Sequence, residues 1–109
     1  MKYKILLSKS EIEVLTQFVS AFASLIIHQK SIKNMALLDV SRKLYLRLHQ
    51  KVMQLEYICY KKSYSCTFNV QEIHVLEELS SRIIPTKAYE TNLNYRLKAW
   101  IDEIKVNLK

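Results

Sequence analysis

The chain contains no glycine, and that absence constrains its fold more than any motif it carries. Glycine gives inexpensive access to positive φ and to close approach between backbone and ligand. Phosphate-cradling loops, dinucleotide-binding turns and nucleophile elbows depend on it, so those enzyme classes are disfavoured here. Pro85 is the only proline and half of the 109 residues are hydrophobic, a composition that excludes disordered and collagen-like chains. The expectation is a single domain over 1–109, large enough to bury about two-thirds of its unfolded surface.

Without glycine to end helices in the left-handed conformation, the readable helix boundaries are the side-chain caps at their starts. Ser8 and Glu11 have the spacing of a capping box, in which the serine oxygen takes the N3 amide and the glutamate reaches back to the cap amide. The short apolar segment Tyr3 to Leu7 before it reads as a strand. Ile12, Leu15, Val19, Phe22 and Ile26 after it alternate at three and four residues, the spacing of a buried helix face. A second helix is expected from about Asn34 to Tyr60, with its seam on Leu38, Ser41, Tyr45, Leu48, Val52, Leu55 and Cys59. Tyr64 to Phe68 alternates and is rich in aromatic and β-branched residues, so it reads as a second strand. Asn69 and Glu72 repeat the capping box, Ile73, Leu76, Leu79 or Ser80, and Ile83 continue a helix that Pro85 stops, and Thr86 is the expected cap of a last helix with Leu93, Leu97, Trp100, Ile104 and Leu108 on its stripe.

The two halves align. Tyr3 to Leu15 falls without gaps on Tyr64 to Leu76, 61 positions on, with Tyr, Glu, Ile, Val and Leu identical. Leu44, Arg47, Leu48, Val52 and Leu55 fall on Leu93, Arg96, Leu97, Ile101 and Ile104 at an offset of 49. The order is therefore β-α-α-β-α-α, with repeat units 1–60 and 61–109 around a pseudo-twofold axis. The alternative is two ordinary strand-helix junctions made alike by capping and periodicity. An isolated two-stranded ribbon is marginal in water, so the fold class expected is mainly α (α+β): a four-helix arrangement packed on a two-stranded antiparallel ribbon.

In topology this arrangement resembles ribbon-helix-helix proteins, with one chain doing what two subunits do there. The resemblance implies that the outward ribbon residues read the DNA major groove. With Ile5, Leu7, Cys66 and Phe68 buried, the outward positions are Lys2, Lys4, Leu6, Ser65 and Thr67. The helices are longer than that family's, and its glycine turn between helices is absent.

Charge and apolar width nominate two kinds of contact. The chain carries 17 Lys and Arg against 10 Asp and Glu, a net charge of +7. Residues 30–62 hold eight of the cations and only Asp39 and Glu56 against them. Such a surplus attracts nucleic acid, anionic membrane or acidic protein. On helix two Lys43, Arg47 and Lys51 recur at i, i+4 and, with Lys4, Lys61 and Lys62, form the candidate nucleic-acid contact. Leu46, Met53, Tyr57 and Tyr60 widen the apolar sector beyond one seam and form the candidate partner contact, for a second copy or another protein. The leading expectation is a small non-enzymatic interaction or scaffold module, with a nucleic-acid-binding module as the alternative.

Catalytic chemistry finds little footing. His28, His49 and His74 fall in separate helices, with His28 and His74 on polar sides. No diagnostic nucleophile and base pair is spaced in the sequence. Cys59 and Cys66 match no zinc ligand set and no C-x-x-C motif, so no catalytic residue, metal, cofactor or small-molecule ligand is expected. The uncharged run Val14 to Gln29 is too interrupted to span a bilayer, and no export leader is visible. A cytoplasmic protein with free thiols is expected.

Overall fold

The structure, a computed structural model, describes residues 2–29, 31–55 and 62–107. Among these residues the elements are β1 (Lys2–Leu7), α1 (Lys9–Ile26), α2 (Ile32–Leu55), β2 (Tyr64–Asn69), α3 (Val70–Arg82) and α4 (Ala88–Asn107), the expected β-α-α-β-α-α order. No described residue has positive φ, in keeping with a chain that lacks the residue best suited to it.

Both capping boxes form. The Ser8 hydroxyl accepts from the Glu11 amide at 3.1 Å while Glu11 Oε1 accepts from the Ser8 amide at 2.9 Å. The Asn69 and Glu72 pair repeats this at 2.8 and 2.9 Å. Two helix starts lie elsewhere than expected. α2 begins at Ile32 because the Ser31 hydroxyl accepts from the Asn34 amide at 3.1 Å, a cap outside the apolar pattern. α4 begins at Ala88, and the Thr86 hydroxyl donates to the Glu90 carboxylate instead of capping the backbone. α3 ends at Arg82, with Ile83 already extended two residues ahead of Pro85. The expected continuation of helix two to Tyr60 lies outside the described residues.

β1 and β2 pair antiparallel, Lys2 opposite Asn69 through Leu7 opposite Tyr64. Ile5 faces Cys66 at the centre, and these two residues are themselves 61 positions apart. Applying that offset to the pair Lys4 and Thr67 gives the pair Ser65 and Leu6, which is also present. The register is thus symmetric about the Ile5 and Cys66 pair.

Alternation then places Ile5, Leu7, Cys66 and Phe68 in the core and leaves Lys2, Lys4, Leu6, Ser65, Thr67 and Asn69 exposed. The core lies between the inner ribbon face and the helices, where Leu7, Leu15, Phe22, Phe68, Leu76 and Leu97 are fully buried. On α2 the buried row is Leu37, Ser41, Leu44, Leu48 and Leu55. The expected seam residues Leu38, Tyr45 and Val52 are half-buried beside it, so the helix is turned by part of a face from the sequence expectation.

Candidate functional site

Carbonyls on both ribbon edges are taken by side chains from the second helix of the opposite half. From α2, Arg47 donates to the Thr67 carbonyl at 3.0 Å and Lys51 to the Ser65 carbonyl at 3.0 Å, both on β2. From α4, Arg96 donates to the Leu6 carbonyl at 2.8 Å and Trp100 Nε1 to the Lys4 carbonyl at 3.1 Å, both on β1. The arginines also reach the capping glutamates. Arg47 pairs with Glu72 Oε2 at 3.0 Å, and Arg96 pairs with Glu11 Oε2. Each pair of equivalent donors is 49 positions apart and each pair of equivalent acceptors 61, so the two clamps correspond contact by contact.

Electrostatics follow from this wiring. Burial disfavours the Glu11 carboxylate, but the Ser8 amide, the Arg96 guanidinium and the Ser8 hydroxyl outweigh it and hold the carboxyl below its usual value. Burial pushes the Cys66 thiol up, and the nearby Lys51 and Arg47 charges offset it only in part. Cys66 is free and buried on the inner ribbon face. The other cysteine, Cys59, lies outside the described residues. Arg47 also stands over the Phe68 ring at 5.4 Å, and Trp100 meets that ring edge-on at 5.9 Å.

The outward face of the ribbon contains no acid: Lys2, Lys4, Leu6, Ser65, Thr67 and Asn69 all point to solvent. Arg47 and Lys51 run along one edge and Arg96 along the other, and the side chains of Arg47 and Arg96 remain 42% and 49% exposed. A cleft of about 230 Å³ at the β2 edge gathers Gln50, Lys51, Gln54, Ser65 and Thr67. With Arg47 and Arg96 paired to Glu72 and Glu11, the face attracts an anion through Lys2, Lys4 and Lys51, and it offers hydroxyl, amide and ammonium groups as hydrogen-bond partners.

The sequence-nominated residues separate accordingly. Lys4 is on this face, with Arg47 and Lys51 beside it as edge clamps as well as surface cations. Lys43 instead pairs with Asp39 at 3.2 Å on α2 itself. Lys62 is exposed just before β2, and Lys61 lies outside the described residues. Leu46 and Met53 are 61% and 46% exposed, on a side of α2 that the 100° helical step sets well apart from Arg47 and Lys51. Tyr57 and Tyr60 lie outside the described residues. His28 and His74 are exposed, while His49 stacks on Tyr45 with ring centroids 5.7 Å apart. Among the described residues no group of His, Cys, Asp or Glu could hold a metal ion, and no helix is long and apolar enough to cross a membrane.

Sequence reasoning missed Arg96 and Trp100 as partners of the ribbon. Arg96 carried a signal, since it aligns with Arg47 while Glu11 aligns with Glu72, so one ion pair implies the other. Comparison of the chain with protein-family models, with curated proteins and with solved structures returns no match.

Proposed function

We propose that the chain is a non-enzymatic binding module whose outward ribbon face takes nucleic acid. The observation that carries this reading is the acid-free ribbon face, with Lys2 and Lys4 on it and Lys51 at its β2 edge, Arg47 and Arg96 being paired with Glu72 and Glu11. A two-stranded ribbon is narrow enough to enter a B-form major groove, about 12 Å wide. The surrounding cations suit phosphates, and Ser65, Thr67 and Asn69 suit base edges or sugar. The correspondence of the two clamps supports reading 1–60 and 61–109 as related units, joined so that one chain presents both strands.

The test is fluorescence anisotropy with a labelled mixed-sequence duplex across a range of salt. Affinity should fall steeply with rising salt, since phosphate contacts release counterions. Lys2→Glu with Lys4→Glu should weaken binding by about ten-fold or more and reduce the salt slope by about two. Absence of binding at low salt, or binding indifferent to the double reversal, overturns the reading.

A protein contact is the second reading, favoured by the exposed Leu46 and Met53. It uses a different side of α2, so the two readings are compatible in one molecule.

A further inference from the structure

The outer side of α1 is unlike the rest of this charged surface. Between Glu13 and the end of α1 at Ile26 there is no charged residue. Solvent meets Gln17, Ser20, Ala21, Ser24 and Leu25 instead, a mix of small, uncharged polar and apolar groups where a surface helix normally also carries charges. Beside this strip, along the seam with α2, run two grooves of about 590 and 510 Å³ that share Ser20 and Tyr45. They form one trough. Ile27, 46% exposed, and Leu46, 61% exposed, line it with Leu38 and Tyr45.

The trough is polar in the electrical sense. Arg42 and His28 line one end, and Glu13 and His49 line the other, where Glu13 is the one acid. Among the described residues Arg42 and Glu13 have no ion-pair partner. A uniformly acidic occupant would satisfy Arg42 and meet Glu13 with like charge. An occupant whose charges run in the opposite direction satisfies both, and a second copy turned through a twofold axis provides that order. An isologous contact of this kind closes at two subunits.

We propose that the trough is a homodimer interface, with a second copy docked antiparallel about an axis near Ser20 and Tyr45. Glu13 of each copy then faces Arg42 of the other. Leu46 lies close to the axis, where the small Ser20 and Ala21 of the opposing α1 leave room for it. This inference is independent of the ribbon reading, because it uses another side of the molecule and other residues. It also specifies the protein contact that exposed Leu46 suggests, without relying on Met53.

Sedimentation equilibrium of the full chain tests it. The wild type should be a dimer, and Ala21→Glu should be a monomer with an unchanged circular dichroism spectrum. Glu13→Arg should weaken dimerisation by about ten-fold, since it sets two cations together, and adding Arg42→Glu should restore it. A wild type that stays monomeric up to its solubility limit overturns the proposal. A dimer that tolerates both Ala21→Glu and Glu13→Arg overturns it too. Duplex binding by the Ala21→Glu monomer is measured alongside, so failure of either reading is visible without the other.

Discussion

Glu11 and Glu72 each divide their two carboxylate oxygens between a helix cap and an arginine. The division makes each a junction between the start of one helix and the second helix of the other half, so loss of the arginine should be felt at both. Arg96→Ala removes the pair with Glu11 and the bond to the Leu6 carbonyl. Arg96 is half exposed, which limits the expected cost to about 1–2 kcal/mol by urea denaturation at neutral pH. The cost should depend on pH. The folded pKa of Glu11 is depressed, so its contribution is complete above the unfolded value of about 4.3 and is lost as pH falls through the folded value. The difference between wild type and Arg96→Ala should therefore shrink below about pH 4, whereas in a Glu11→Gln background it should be small and nearly flat. A penalty that persists at low pH would place the role of Arg96 in its carbonyl bond alone. Residue-level wiring of this sort was only half legible in the sequence. Helical spacing put Arg47 and Lys51 on one side of α2, but the same spacing describes a solvated stripe and a pair of edge clamps, and only the position of β2 separates them.

At the scale of elements, capping chemistry did most of the specifying. Ser8→Ala and Asn69→Ala each remove a hydroxyl or amide oxygen that takes an N3 amide, and each should cost about 1 kcal/mol. Glycine at the same positions should cost only a few tenths of a kcal/mol. Thermal unfolding of the four variants checks this, and equal losses for alanine and glycine would contradict it. The same boxes explain why β1, α1, β2 and α3 could be placed from the sequence, since a strand must stop where a cap begins. α2 was harder because it has neighbours on several sides. Arg47 lies against β2 and the trough beside α1 lies on another side, so its apolar positions spread over much of the circumference. The seam read from 3, 4 spacing consequently included the buried Ser41, Leu48 and Leu55 but joined them to Leu38, Tyr45 and Val52, where the structure buries Leu37 and Leu44. α4 was misplaced at its start for the opposite reason: Thr86 had the chemistry of a cap, but its hydroxyl is taken by Glu90.

For the whole molecule the important fact is that the clamps cross between halves. α2 holds β2 and α4 holds β1, so neither half occupies these edge carbonyls of its own strand. Unfolding should accordingly be one cooperative event. Trp100, the single tryptophan, reports the β1 and α4 junction directly, and its fluorescence transition in urea should coincide with loss of helical circular dichroism. Separate midpoints would mean that the halves melt independently. The candidate site was legible at the ribbon, where alternation alone assigned outward residues. The trough was not, because it depends on how α1 and α2 lie against each other.

The occupied edge carbonyls also bear on how this protein behaves in a crowded solution. An exposed ribbon is ordinarily a template, since its free edge invites another strand to add and a fibril to grow. Here the carbonyls of Lys4, Leu6, Ser65 and Thr67 are already occupied by side chains of α2 and α4. A strand adding to either edge would therefore have to displace those donors from the carbonyls it needs.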